Sequence, residues 1–126
     1  MSPTAPDPRG RPFTLVVCAA CRDAANEHVM DVLRRAVRAC PHGVMVSTGC
    51  LDQFMHCRTG RGVYAAVQPC VADRRPTGAV VRLGPLASRA DAEAVAAWLH
   101  AGMPADAGLP ESLRAAPAPR QVAHLN

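Results

Sequence analysis

Four cysteines, Cys18, Cys21, Cys50 and Cys57, hold the chemistry that this sequence offers. The pair Cys18-Ala19-Ala20-Cys21 directly follows the apolar run Phe13-Thr14-Leu15-Val16-Val17, so it stands where a strand should end and a helix begin. Two thiols at such a junction bind metal or exchange disulfides, because a helix N-terminus favours the thiolate. Cys50 lies two residues beyond a second strand-like run, Gly43-Val44-Met45-Val46-Ser47-Thr48. Cys57 falls in the loop leading into a third, Gly62-Val63-Tyr64-Ala65-Ala66-Val67. If the first two strands are parallel and the third runs back, all three loops meet at one sheet edge. Four thiolates gathered there suit a metal centre, and both iron–sulfur clusters and structural zinc take four such ligands. Without a metal, Cys18 and Cys21 remain a dithiol pair with the more N-terminal thiolate as nucleophile, or two small buried hydrophobes.

The segment around Cys50 and Cys57 supports the metal reading. Its glycines, Gly49, Gly60 and Gly62, let backbone approach closely and donate N–H groups to sulfur. Arg22, Arg58 and Arg61 are placed to offset the charge of an anionic centre, although each alone reads as an ordinary solvated arginine. His56 beside Cys57 is the one histidine to weigh as a substitute ligand; His42 reads as a surface residue. Cys40 and Cys70 fall at the opposite edge and read as core or structural thiols, with a reversible Cys40–Cys70 disulfide as an alternative.

The elements that position these residues follow from periodicity. Strands are expected over residues 13–18, 43–48, 62–68 and 78–83. A helix over 26–39, capped by Asp23 or Asn26, carries a one-sided stripe of Val29, Val32, Leu33, Ala36, Val37 and Cys40. Arg34, Arg35 and Arg38 complement its C-terminal dipole, and Pro41 with Gly43 ends it. Ser88 with Asp91 three residues on reads as a capping box for a last helix, with Ala92, Val95, Ala96 and Leu99 on its buried face and Gly102 as its stop. Trp98 falls off that face, against a sheet edge or a partner. The order is βαβ, a β-hairpin, then α. The βαβ crossover makes its strands parallel and right-handed, and the short link between the last two strands makes a hairpin. The expected architecture is α/β and thioredoxin-like, a four-stranded mixed sheet with helices on its faces.

With 126 residues the prior is one domain. Residues 1–12 and 103–126 each hold four prolines and are expected to be disordered tails, leaving 13–102 as the cluster-binding domain. A unit of about ninety residues folds with a shallow margin. With only two Phe, one Tyr and one Trp, its core must be mostly Val, Leu and Ala. The net charge of +4 is weak evidence for nucleic acid. All fourteen basic residues are arginine, and lysine and isoleucine are both absent, a pattern of GC-rich coding. The arginines are scattered, and the aromatics on which single strands stack are missing. No stretch approaches a membrane span and the N-terminus lacks a signal-peptide core, so a cytoplasmic location is expected. In that reducing compartment cysteines read first as metal ligands or catalytic thiols. No nucleophile–base constellation or carboxylate pair points to a substrate-transforming enzyme.

The run Val46-Ser47-Thr48-Gly49-Cys50-Leu51, with the strand-ending Cys18 and the strand start Gly62-Val63-Tyr64, resembles the thioredoxin-like [2Fe-2S] ferredoxins. Cys18-x-x-Cys21 followed by Gly-Cys-Leu and a later cysteine is also similar to small bacterial metal-binding proteins grouped with that fold. The resemblance implies a [2Fe-2S] cluster on Cys18, Cys21, Cys50 and Cys57, one-electron transfer and a redox partner protein, with a homodimer left open. In those ferredoxins a further ligand follows four residues after the position of Cys50; here that residue is Phe54, and the next cysteine is Cys57. Two other readings stand beside it. One is a thiol–disulfide oxidoreductase using Cys18 and Cys21. Thioredoxins carry a proline just before the third strand, where this chain has Thr59-Gly60-Arg61-Gly62. The other is a zinc-stabilised interaction module on the same four sulfurs.

Overall fold

Among the described residues, alternating apolar residues in four short runs, punctuated by two amphipathic stretches, produce one mixed sheet with two helices. The computed structural model describes residues 10–18, 26–49, 62–105 and 108–115. In chain order these form β1 (Phe13–Cys18), α1 (Glu27–Arg38), β2 (Gly43–Thr48), β3 (Val63–Pro69), β4 (Val81–Leu86), α2 (Arg89–His100) and a 3₁₀ turn (Glu111–Leu113). The strand order is β2-β1-β3-β4. β1 and β2 run parallel from Phe13↔Gly43 to Cys18↔Thr48, while β3 is antiparallel to both β1 and β4. The chain is therefore α/β with an open, mixed four-stranded sheet, as its element order requires.

The core follows from the period-2 and period-3.6 patterns meeting on one face. Phe13, Leu15 and Val17 alternate on β1, and Val63, Ala65 and Val67 on β3; all six join Val29, Leu33, Val37, Val95 and Leu99 from the helices. Both helices thus share that face. The other face holds a smaller cluster of Cys18, Tyr64 and Ala66, with Val80 and Ala115 packed against it. α2 begins as its sequence dictates: Ser88 Oγ accepts from the Asp91 N–H at 3.1 Å and the Asp91 carboxylate accepts from the Ser88 N–H at 3.2 Å. α1 starts after Asn26, whose side chain makes no cap bond.

Three expectations need correction. The fourth strand runs over Val81–Leu86, three residues later than its apolar run suggests. Gly84-Pro85 reads as a breaker, yet β4 lies at the end of the strand order, where a missing N–H is tolerated, and an irregularity at Val63/Ala65 absorbs the offset. Trp98 does not face a sheet edge or partner. It is buried in the core, and its Nε1–H donates to the Pro104 carbonyl at 2.9 Å.

The third correction concerns the expected boundary at residue 102, which cuts through packed structure. Leu109 and Leu113 belong to the main core, Leu83 bridges Arg114, and the Ala115 N–H donates to the Arg82 carbonyl at 3.0 Å. These two leucines supply buried apolar surface that the proline and alanine content around them conceals. Fully burying a leucine is worth about 1.5–3 kcal/mol. A chain ending at residue 102 is therefore expected to lose about 3 kcal/mol relative to one ending at 115, read from the urea midpoint.

Candidate functional site

Cys18 is the last residue of β1, and β1 lies between β2 and β3. Its register partner on β2 is Thr48, the last residue of that strand, and Val17 pairs with Ala65 near the start of β3. The C-terminal ends of β1 and β2 and the beginning of β3 therefore share one edge. This is the convergence expected from parallel β1 and β2 with a returning β3. The segments carrying the other candidate ligands leave from or enter at these three strand ends. Cys21, Cys50 and Cys57 lie outside the described residues, as do Arg22, Asp23, Phe54, His56, Arg58 and Arg61.

Cys18 is wholly buried, and alternation from Val17 directs it to the face opposite the two described helices, beside Tyr64 and Ala66. Tyr64 is the chain's single tyrosine and is 2% exposed. Two glycines give it this place. Gly84 has φ +129°, and a Cβ there would stand 2.8 Å from Tyr64 Cδ1 and 2.9 Å from the Val63 carbonyl oxygen. Gly62, with φ +144°, would put a Cβ 2.6 Å from the Leu86 carbonyl oxygen. Both need glycine for conformation and for close approach of β3 to β4. Gly84→Ala is expected to cost about 1–3 kcal/mol and to displace the tyrosine ring. Thermal unfolding followed by near-ultraviolet circular dichroism of Tyr64 checks both effects.

Cys40 and Cys70 sit at the far end of the sheet. Cys40 follows α1 and is buried in the main core. Cys70, 5% exposed, donates its backbone N–H to the Pro12 carbonyl and bridges Pro76. Its thiol is not in a disulfide, so the Cys40–Cys70 bridge is not formed. The six cysteines thus include two whose positions are set by packing at the edge opposite Cys18.

Two residues that matter for this frame have no clear sequence signal. Arg74, at φ 73°, swings back from the β3–β4 connection and donates from Nη1 to the Phe13 and His42 carbonyls, both at 2.9 Å. It ties the starts of β1 and β2 together, and Nη1 also lies 3.7 Å from Cys70 Sγ. Tyr64 reads in the sequence only as a strand residue; its place beside Cys18 depends on which face each strand presents.

Among the described residues no group of three or more His, Cys, Asp or Glu side chains stands close enough to hold a metal ion. No helix among them is long and apolar enough to cross a membrane. No family model, curated protein or solved structure matches this chain.

Proposed function

We propose that this protein binds a [2Fe-2S] cluster through Cys18, Cys21, Cys50 and Cys57 and serves as a one-electron carrier or cluster-holding partner of a redox enzyme. The observation that carries the reading is the shared edge: Cys18 ends the central strand β1 in register with Thr48, and β3 begins beside them. Chain reach supports it. Cys21 is three residues from Cys18 and Cys50 two from Thr48, at no more than about 3.6 Å per residue. The strand order β2-β1-β3-β4, with antiparallel β3 and both helices on one face, supports a thioredoxin-like assignment within the α/β class.

The donor set fits the group. Four thiolates are what such a cluster takes, and they would fit zinc as well. Burial of Cys18 in one cluster with Tyr64 and Ala66, with Ala115 packed against it, suits a ligand kept from water, where solvent exposure tunes the potential of a cluster. When bound, the cluster supplies reversible one-electron chemistry. The protein's part is to hold the four sulfurs, to exclude water at Cys18 and to keep the β1 and β2 ends in register.

The test is the visible absorption spectrum and metal content of protein isolated without oxygen. Charge-transfer bands with two irons per chain support the proposal. A colourless protein with stoichiometric zinc replaces it with the zinc-module reading. A metal-free protein whose disulfide reductase activity is lost in Cys18→Ser but not in Cys57→Ala replaces it with the dithiol reading.

A further inference from the structure

The two edges of the sheet are treated differently. β4 is covered by the chain itself, through the Leu83–Arg114 bridge and the Ala115 N–H to Arg82 carbonyl bond. β2 has no strand on its outer side among the described residues. Its sequence, Gly43-Val44-Met45-Val46-Ser47-Thr48, holds no charge and no proline, the usual devices that blunt an edge. Val44 and Val46 are the exposed large hydrophobic residues of the described chain, at 37% and 42%.

The direction of the β2 backbone groups follows from its pairing. The Phe13 N–H donates to the His42 carbonyl at 3.3 Å. In a parallel ladder the amides of Val44, Val46 and Thr48 then face β1, and the peptide groups of Gly43, Met45 and Ser47 face outward. The Gly43 N–H is already taken by the Cys40 carbonyl at 3.1 Å. Among the described residues, outward N–H groups therefore remain on Met45 and Ser47.

Above this edge lies α1. Glu27, Asp31, Arg34 and Arg38 recur at i, i+4, i+7 and i+11 on one stripe. Arg34 Nη1 lies 2.9 Å from Asp31 Oδ1 and 3.5 Å from Glu27 Oε2. Arg34 and Arg38 also line a groove with Met30, Val37, Met45 and Ser47, which fixes the stripe on the β2 side of the molecule. The stripe is acidic in its first half and basic in its second. It is complementary to itself when inverted.

We propose that β2 is a self-association edge, at which a second copy of this chain pairs antiparallel about a two-fold axis through Met45. This register opposes Met45 with its own copy and sets the Ser47 N–H against the Gly43 carbonyl of the second copy. It pairs Val44 with Val46 across the axis on the face opposite the described helices and keeps α1 and α2 of both copies on the other. The same axis runs the two α1 helices antiparallel and brings Asp31 of each to the level of Arg38 of the other. An isologous interface requires this kind of self-complementarity. It does not depend on the metal reading, since no cysteine takes part.

Sedimentation velocity on the full chain over a concentration series tests it. The wild type is expected to dimerise reversibly. Arg38→Asp and Asp31→Arg, both at exposed positions, should each weaken the dimer at least about tenfold, with unchanged circular dichroism. The double swap should restore it to within about threefold, because it exchanges the signs and preserves the pairing. Val46→Arg should yield monomer. A wild type that stays monomeric to about 0.5 mM, far above the range of specific homodimers, overturns the proposal. So does a dimer unmoved by Arg38→Asp and Val46→Arg, or a double swap no tighter than either single variant.

Discussion

Cys50→Ser is expected to abolish bound metal, while Cys40→Ser retains full stoichiometry in a protein of slightly lower stability. The contrast rests on topology. Cys50 stands two residues beyond Thr48, the register partner of Cys18, whereas Cys40 lies in the main core at the other end of the sheet, between α1 and β2. A cluster deprived of one of four sulfurs is labile, because serine is a poorer ligand for iron and the site opens to water. Replacing a buried thiol by serine at position 40 adds a hydroxyl to an apolar site and costs about 1–3 kcal/mol without touching a ligand. Iron and zinc analysis alongside circular dichroism reads the outcome. Equal metal loss from both variants, each folded, would sink the division of cysteines between the two edges. Cys57→Ala extends the series: loss of metal assigns Cys57 as the remaining ligand, and retention assigns that place to another group such as His56.

Trp98→Ala is expected to have the largest effect on folding. The side chain is 1% exposed, belongs to the main core and donates from Nε1 to the Pro104 carbonyl. Removing a buried tryptophan costs about 3–5 kcal/mol through lost apolar contact and the cavity left behind. Small domains have little more than this in total. Trp98 also anchors the segment beyond α2. The indole N–H holds the Pro104 carbonyl, and a Cβ built at Gly108 would stand 3.6 Å from the indole Cδ1. Loss of the ring is therefore expected to free Leu109 and Leu113 together with the Arg114 bridge to β4. Amide exchange should rise across residues 108–115 before it rises in β1. Trp98→Phe keeps most of the apolar contact and removes the donor, so its cost should fall near about 1–2 kcal/mol. If exchange at 108–115 rises no earlier than in β1, the segment is held by other contacts and the anchoring argument fails.

Local chemistry in the sequence was enough for the elements and their order. β1 and β2 have the bounds expected from their apolar runs, 13–18 and 43–48. α1 differs from its expected span by one residue at each end, and the Ser88–Asp91 capping box is formed as written. From that order the pairing of β1 with β2 and the return of β3 follow, since a βαβ crossover and a short hairpin leave few alternatives. The placement of Cys18 at a strand end opposite Cys40 and Cys70 was legible for the same reason.

What the sequence left undecided depends on contacts between residues far apart in the chain. Gly84-Pro85 is a breaker by local rules, and only its place in the outermost strand allows β4 to run through it. Leu109 and Leu113 sit among prolines and alanines, and nothing near them announces that they join the main core with Trp98. Arg74 reaches carbonyls 61 and 32 residues away, a clamp that no local pattern encodes. Tyr64 shares a buried cluster with Cys18 because two strands meet in one register with a glycine opposite the ring. Periodicity and capping act over one or two turns of chain and can be read along it. Faces and edges exist only once the sheet has assembled, so the burial of Cys18 and the place of β2 at the end of the strand order among the described residues were decided by tertiary structure alone.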